Sequence, residues 1–272
     1  MLISMKIACE NMTDCPWPKD FFDNIVDTFI NKSHGNSGTI LTMFFLGMAD
    51  ALPAGRDIDG FELAHAYISG ANSAYNSIPD IVEGTILTLM KKTSDACISF
   101  MSETENDPSA IWDRICREAY SVLPLTAYQN PSLKNLHVPD SGAAGFCIIL
   151  DSFRSAFMHK TDSSVSAELE ELLPGEEINS ITDFKINIPF RYCFEIVIGH
   201  NILNSDEDTQ KIVCSLRNSL ADMGDCLIIV PRRNNIKIHI HTNDTDGVIC
   251  IAGKFGNILS HKSDDMLAAI LN

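Results

Sequence analysis

The sequence predicts a multidomain protein of the α and α+β classes. An all-helical bundle or barrel covers residues 1–160 and a small α/β sandwich covers residues 185–272. Apolar residues recur at helical spacing through the first half of the chain. Residues 161–184 form a polar, acidic linker that includes Pro174-Gly175 and has room for one short helix. Beyond the linker, apolar and polar residues alternate with the period of two that is typical of β-strands.

The composition restricts the class of protein. Hydrophobic residues make up 45% of the 272 residues, which is enough for a sizeable core, and no apolar run reaches the length of a membrane span. The net charge of −16 argues against a nucleic-acid-binding surface, because phosphate binding needs clustered Lys and Arg. The nine cysteines contain no Cys-x-x-Cys pair, and the first residues lack a signal-peptide pattern. We therefore expect a cytoplasmic protein with reduced thiols.

Apolar spacing and helix breakers predict seven helices in the first part. The helix over residues 38–52 is apolar nearly all round, so it should be central in the bundle. The predicted ranges are 2–12, 18–32, 38–52, 61–77, 85–102, 108–122 and 143–160.

The second part has the predicted order β-α-β-β-α, with room for a short strand after it, which favours a ferredoxin-like sandwich. The first strand lies in FRYCFEIVIG, where alternate residues are apolar. The segments CLIIVP and IKIHIHT form a hairpin around RRNN. Helices are predicted over residues 205–223 and 244–255.

Three segments of small residues precede apolar helices in the first part, and the pentapeptide Gly-Thr-Ile-Leu-Thr occurs in two of them. A helix N-terminus carries unpaired N–H groups and a partial positive charge, so a phosphate group can approach it closely. The same residue types are ordinary caps and turns, and the pattern alone leaves the two interpretations evenly balanced. The candidate residues are Asn36, Ser37, Gly38 and Thr39; Gly84 and Thr85; and Asp140, Ser141, Gly142 and Gly145.

The strand IKIHIHT places Lys237, His239 and His241 on one face, opposite three isoleucines. Cys193 lies on the polar side of the first strand, beside Glu195. If the two strands are neighbours, Cys193, His239 and His241 can form a three-ligand metal site with an open position. From spacing alone, the solvated face of an edge strand is the better interpretation, by roughly two to one.

Five motifs carry a family resemblance. GNSGTILTMFFLGMADAL, VEGTILT and VPDSGAAGF resemble, in this order, the nucleotide-binding domain of the dihydroxyacetone kinase L subunit, the DhaL domain. They are more closely similar to the N-terminal domain of the bacterial fatty acid kinase ATP-binding proteins. RYCFE and KIHIHTND…GKFGNILSHKSDDM resemble the middle domain of the same proteins. The resemblance covers nearly the whole chain and implies a DhaL-like helical barrel that holds ATP at one end.

The resemblance also implies roles for the candidate residues. The first glycine loop, residues 36–39, would lie against the ATP phosphates, and the other two loops would line the rest of the pocket. The family's middle domain has a matching Cys and His-x-His that bind zinc, which implies zinc at Cys193, His239 and His241. Glu195 would then support a ligand or move a proton.

The function that the resemblance implies is transfer of the ATP γ-phosphate to a fatty acid carboxylate, which gives an acyl phosphate. The fatty acid would be presented by a separate carrier protein, and the chain could assemble as a homodimer. A dihydroxyacetone (glycerone) kinase-like transfer to a hydroxyl is one alternative. A non-catalytic nucleotide- or zinc-binding remnant is the other.

Two departures from the family pattern affect these expectations. The family often has Ala-Arg before the first glycine loop, where this chain has Ser33-His34. The chain also lacks the family's Asp-Gly-Asp-x-Gly-x-Asn motif, whose carboxylates hold the Mg²⁺ ions that bridge the ATP phosphates. Because MLISMKIACENM is helix-like from its first residue and has no preceding cap, we expect a truncated N-terminus. The family's C-terminal third is also absent, so the resemblance implies a chain truncated at both ends. Such a chain would bind magnesium-ATP poorly and have impaired or no kinase activity.

Overall fold

The computed structural model describes residues 2–11, 13–79, 81–100, 106–131, 133–134, 136, 138–158, 166–172, 188–199 and 206–271. Within these ranges, a group of packed helices precedes a four-stranded sheet. The sheet has helices of its own on one face. No helix of the described part is long and apolar enough to cross a membrane. The helices of the first part are α1 Leu2–Glu10, α2 Pro18–Lys32, α3 Gly35–Ala51, α4 Gly60–Asn76, α5 Ile86–Phe100, α6 Pro108–Gln129, α7 Ser141–Phe157 and α8 Ala167–Leu172.

Helix α3 lies at the centre of the helical part, as its apolar surface predicts. Nearly every residue from Gly38 to Ala49 is buried. Helices α3 and α4 pack very closely at Gly47, where a Cβ atom would come within 2.7 Å of the Ser69 carbonyl oxygen. A larger side chain would therefore push the two helices apart. Around α3, the rings of Phe44 and Phe45 make edge-to-face contacts with neighbouring aromatic rings, which adds directional packing to the core.

Helix α6 extends seven residues beyond its predicted end at residue 122. The prediction ended the helix before Pro124, because a proline removes one backbone hydrogen bond from a helix interior. The observed helix continues through Pro124 to Gln129. The side chains of Thr126 and Ala127 are buried, so packing in the core compensates for the lost hydrogen bond.

The short helix α8 lies within the predicted linker and packs on the helical part. Leu169 of α8 is fully buried in the same hydrophobic core. The Ser166 amide donates a hydrogen bond to the Asp151 carboxylate of α7 at 2.8 Å. The remaining residues of the predicted linker, 161–165 and 173–184, lie outside the described residues.

The second part has the predicted ferredoxin-like arrangement. Its four strands form an antiparallel sheet in the order β2-β3-β1-β4, with the strand after the last predicted helix at one edge. The apolar faces of β1 and β3 pack against two helices, α9 and α10, in a second hydrophobic core. The elements are β1 Tyr192–Gly199, α9 Asp206–Leu220, β2 Gly224–Arg232, β3 Asn235–Thr242, α10 Thr245–Ala252, β4 Asn257–Asp265 and α11 Met266–Leu271.

The other face of the sheet packs against the helical part. Ile228 and Val230 of β2 belong to the same core as the residues of α2 and α3. Beside them, the Arg232 guanidinium pairs with Asp23 at 2.7 Å and with Asp27 at 2.9 Å. The interpretation of the His-x-His face as a solvated edge is therefore wrong. Strand β3 is central in the sheet, and its polar face is covered by helices.

Replacing Ile228 by Ala tests whether the two parts share one core. The substitution leaves a cavity between the sheet and the helices, so we expect the free energy of unfolding to fall by about 2–5 kcal/mol. Urea denaturation followed by far-ultraviolet circular dichroism measures this loss. The matched control is Ile258→Ala, because Ile258 is 40% exposed on the edge strand β4. Equal stability losses in the two variants would contradict the shared core.

Candidate metal centre and glycine-rich loops

The first glycine loop forms the first turn of α3. Gly35 has a φ of +67°, which favours glycine, and His34 before it makes no side-chain cap to the helix. The Asn36 side chain points to the sheet, where its Nδ2 atom donates to Cys226 Sγ at 3.5 Å. The Thr39 hydroxyl also faces the sheet and lies 3.4 Å from Glu195 Oε1. The structure therefore places two of the predicted phosphate contacts against the sheet.

The second loop, Gly84-Thr85, is a turn whose amide groups already have partners. The Gly84 amide donates to Thr88 Oγ1 at 2.8 Å, and the Thr85 amide points to the same oxygen at 3.4 Å. Gly84 has a φ of +76°, and a Cβ atom there would collide with the Asn130 amide. This glycine is therefore required by backbone packing, which is a structural reason for its presence.

The third loop begins α7 and meets the first. Asp140 is the N-cap, and its carboxylate accepts a hydrogen bond from the Ala143 amide at 2.8 Å. A Cβ atom on Gly142 would lie 3.2 Å from Ser37 Oγ and 3.5 Å from Ile86 Cβ. The starts of α3, α5 and α7 thus meet at one end of the helical part. This is the arrangement that a shared pocket requires, while nucleotide binding there stays a prediction.

Asp140 carries a perturbed carboxyl group at this junction. Burial raises the pKa of Asp140 above its ordinary value, although hydrogen bonds from the amides of Ala143, Ile86 and Gly142 partly oppose the shift. A carboxylate that is partly removed from water beside three helix starts is sensitive to the charge of whatever binds there.

The predicted metal ligands come together on the polar face of the sheet. Cys193 of β1 lies directly opposite His241 of β3, and His239 is two residues before His241 on the same strand. One ligand atom from each of these three residues lies within 4.8 Å of the other two. His239 is fully buried and Cys193 is 8% exposed. Burial and the negative charge of Glu195 raise the pKa of the Cys193 thiol to about 12.

The two histidines are oriented as metal ligands usually are. His239 Nδ1 lies 3.2 Å from Glu195 Oε1, and His241 Nδ1 lies 3.0 Å from Asp225 Oδ1. Metal-binding histidines commonly donate one ring N–H to a carboxylate, which leaves the other nitrogen for the metal. His239 Nε2 is buried and has no hydrogen-bond partner among the described residues. Because an unsatisfied buried nitrogen costs free energy, this atom fits a zinc ligand better than a structural histidine.

Glu195 links the metal ligands to the first glycine loop. Its Oε1 atom contacts His239, Thr39 and the Lys237 ammonium group, the last at 3.4 Å. Lys237 is 2% exposed and donates to both oxygens of Ser33, at 2.7 Å to Oγ and 3.0 Å to the carbonyl. Burial alone would raise the pKa of Glu195, but His239 and Lys237 together outweigh it and lower the pKa. For Lys237, burial lowers the pKa of the ammonium group, and the negative charge of Glu195 partly opposes this shift.

Several residues of this site were not found from the sequence. Asp225 and Cys226 of β2 form a second group with His241, with ligand atoms within 4.8 Å of one another. Lys237 was placed on the polar face, but nothing in the sequence indicated its bond to Ser33. These contacts depend on the order of the strands and on the helices that cover them.

His34 occupies the position where the family often has Arg. Its Nδ1 atom lies 2.8 Å from Lys262 Nζ of β4. Burial and the nearby positive charge of Lys262 lower the pKa of His34. His34 therefore contacts the sheet as a neutral ring near neutral pH and does not supply the positive charge of an arginine.

A separate cleft of about 970 Å³ lies between α3, α4, α9 and β2, away from the metal ligands and the glycine loops. None of the glycine-loop or metal-ligand residues lines it. Its most buried cation, Arg232, is already paired with Asp23 and Asp27. The cleft is therefore separate from the candidate metal centre and the glycine loops.

Comparison with known proteins assigns the chain to a family. The family model of the DAK2 domain matches residues 1–155. The chain belongs to the DAK2 domain family. A second family model, for the middle domain of FakA-like fatty acid kinase proteins, matches residues 189–270 of this DAK2 protein. The family resemblance of the five sequence motifs is therefore confirmed.

Curated relatives of this DAK2 protein are longer than the chain. A protein of Staphylococcus saprophyticus is 30% identical over 239 residues, which cover 86% of this chain and 42% of the relative. Protein YloV of Bacillus subtilis is 27% identical over 238 residues, with the same two shares. A protein of Staphylococcus haemolyticus is 28% identical over 241 residues, also 42% of its length. The chain thus spans less than half the length of these relatives.

Substitutions of Asp140 test whether its charge is kept at a cost to stability. Because its pKa is raised in the folded state, the stability contribution of Asp140 is greatest below the unfolded pKa and is lost as the pH rises through the folded pKa. Asn keeps the helix cap and removes the charge. We therefore expect Asp140→Asn to match the wild type near pH 3 and to be more stable at pH 7.

The control is Asp140→Ala, which also removes the charge but loses the cap, at a cost of about 1 kcal/mol. Thermal unfolding over pH 3–7 separates the two effects. A constant stability difference between the wild type and Asp140→Asn at all pH values would show that the raised pKa has no consequence.

Proposed function

We propose that the chain is the nucleotide- and zinc-binding part of a kinase that transfers the ATP γ-phosphate to a fatty acid carboxylate, which gives an acyl phosphate. The observation that supports this most strongly is the presence of a DAK2 domain and a FakA-like fatty acid kinase middle domain in one chain. Among phosphate acceptors, the middle-domain match favours a fatty acid carboxylate over the hydroxyl of a dihydroxyacetone-type substrate.

In this proposal, the phosphates of ATP lie where the starts of α3 and α7 meet. The amides of Ser37 and Gly38 in the first turn of α3 offer hydrogen bonds and the positive end of the helix dipole. Gly142 allows the two helix starts to approach closely, since a side chain there would meet Ser37. The printed chain lacks the family's Asp-Gly-Asp-x-Gly-x-Asn motif, and among residues 36–39, 84–85 and 140–145 Asp140 is the one carboxylate for Mg²⁺, so we propose weak magnesium-ATP binding and impaired activity for this chain.

The zinc ion is held by Cys193, His239 and His241. Glu195 and Asp225 orient the two imidazole rings and make them better ligands. When bound, zinc supplies a fixed positive charge that joins β1 to β3. Glu195 then transmits this fixed geometry to Thr39 of the first glycine loop.

The remaining functional assignments follow from the proposed reaction. A fatty acid is poorly soluble in water, so a separate fatty-acid-binding carrier protein presents the carboxylate to the kinase. The reaction needs cytoplasmic ATP, which places the protein in the cytoplasm. A homodimer is the proposed assembly.

Adding one methyl group tests the nucleotide site. In Gly142→Ala, the new Cβ atom would lie 3.2 Å from Ser37 Oγ, so the two helix starts must move apart and the amides proposed to bind the phosphates are displaced. We expect the affinity for ATP to fall by about tenfold, equivalent to about 1.4 kcal/mol. Isothermal titration calorimetry with ATP measures the effect.

The matched control for Gly142→Ala is Ser152→Ala, because Ser152 is exposed on the same helix α7, away from its start. This variant should bind ATP as the wild type does. Unchanged affinity in Gly142→Ala, or no ATP binding by the wild-type chain, would remove the nucleotide site from this junction.

The zinc site is tested by elemental analysis of purified protein. Wild-type protein should contain zinc, and His239→Ala should not retain it while its helical part stays folded. Glu195→Gln should weaken zinc binding by about 10–100-fold, since the ring of His239 loses its charged partner. Cys214→Ala is the matched control, because Cys214 is an exposed cysteine on α9. Wild-type protein without zinc, or equal zinc content in His239→Ala, would overturn the assignment.

A further inference from the structure

Strand β2 contains a bulge beside the candidate metal centre. Asp225 pairs with His241 of β3, and the next paired residue, Ile228, lies opposite His239. Three residue steps on β2 therefore match two steps on β3, so β2 carries one extra residue. Within the bulge, Cys226 has a φ of +53°. A residue with a side chain rarely adopts this conformation, which occurs preferentially at functional sites.

The bulge brings two consecutive side chains to the same face of the sheet. In a regular strand, Asp225 and Cys226 would point to opposite faces. Here, the Asp225 carboxylate contacts His241 Nδ1 at 3.0 Å, and Cys226 Sγ lies within 4.8 Å of ligand atoms of both residues. The backbone distortion thus delivers a thiol to the metal face.

We infer that Cys226 is the fourth protein ligand of the zinc ion, which makes the centre a closed Cys₂His₂ site with Cys193, His239 and His241. The inference rests on the zinc site proposed above. Cys193 and Cys226 approach His241 from the two strands that flank β3, and both thiols lie near the same imidazole. Closed sites with four nitrogen and sulfur ligands are the usual form of structural zinc.

The surroundings favour Cys226 over the other two candidates for the fourth position. The Asp225 carboxylate is already used to hold the His241 ring. A thiolate is a stronger zinc ligand than water, and His239 on the other side of the centre is fully buried. The Asn36 amide group donates to Cys226 Sγ at 3.5 Å, and hydrogen bonds of this kind stabilise a metal-bound thiolate. His239 Nε2, which is buried and has no hydrogen-bond partner among the described residues, is the nitrogen of that ring available to the ion.

A closed site assigns the zinc ion a structural role. With four protein ligands, no position remains for a substrate or an activated water molecule. The ion would join β2, β3 and β1, and Asn36 and Glu195 would connect this cross-link to the first turn of α3. Zinc would thus position the glycine loop without taking part in phosphoryl transfer.

Cobalt substitution of the full chain counts the thiolate ligands. Co²⁺ replaces Zn²⁺ in sites of this kind, and each thiolate adds intensity to the near-ultraviolet sulfur-to-cobalt charge-transfer band. We expect two thiolates in the wild type, and loss of about half of the band in both Cys193→Ser and Cys226→Ser. Cys250→Ser is the matched control, because Cys250 is exposed on α10, and it should keep the full band.

The outcomes separate this inference from the proposed zinc site. If Cys193→Ser loses the band and Cys226→Ser keeps the wild-type intensity, the zinc site stands and the fourth ligand is wrong. If wild-type protein binds neither Co²⁺ nor Zn²⁺, both are wrong.

A second measurement needs no variant and covers the case in which a serine substitution unfolds the chain. Alkylation of wild-type protein by iodoacetamide, followed by mass spectrometry, compares Cys226 with and without added zinc. Zinc should slow the modification of Cys226 and of Cys193 by at least about tenfold, because a metal-bound thiolate is a poorer nucleophile. Equal alkylation rates at Cys226 in the two conditions, with Cys193 protected, would overturn the inference.

Discussion

The structure depends on one buried carboxylate, that of Glu195. Its Oε1 atom contacts an imidazole of the candidate metal centre, a buried lysine and the hydroxyl of Thr39 in the first glycine loop. A buried charge is tolerated only when it is paired and hydrogen-bonded, so each of these partners constrains the other two. Lys237 extends the group to Ser33, and the start of α3 is thereby fixed against the sheet. The helical part and the sheet are thus joined at the point where their candidate functional residues meet.

This arrangement explains why the polar faces of β1 and β3 are largely buried. Ile228 and Val230 extend the helical core onto β2, and the Arg232 ion pairs close its edge. Between these contacts, the side chains of Cys193 and His239 are removed from water, which strengthens metal binding and disfavours unpaired polar atoms. The zinc site and the nucleotide site that we propose are neighbours because the sheet and the helices share this interface.

Much of the fold could be predicted from the sequence, because local patterns determine it. The helical period located the bundle helices, and strict alternation in IKIHIHT separated the isoleucine face from the histidine face. The predicted end of α6 was wrong, because tertiary packing overrides the helix-breaking tendency of Pro124. Spacing also gave no information on what covers the histidine face. The bulge at Cys226 could not be predicted, since it is a property of strand register and leaves no mark in the residue types.

The central claim is that ATP phosphates bind at the start of α3, beside the metal centre. The Nδ2 atom of Asn36 in this helix lies 3.5 Å from Cys226 Sγ. The two sites are therefore close enough for a paramagnetic ion to speed the nuclear relaxation of bound phosphates. The direct measurement is ³¹P relaxation of ATP in the presence of the Co²⁺-substituted chain, with the Zn²⁺ form as the diamagnetic reference. Our account predicts much faster ³¹P relaxation with Co²⁺ than with Zn²⁺. Equal relaxation of protein-bound ATP in the two forms would contradict it.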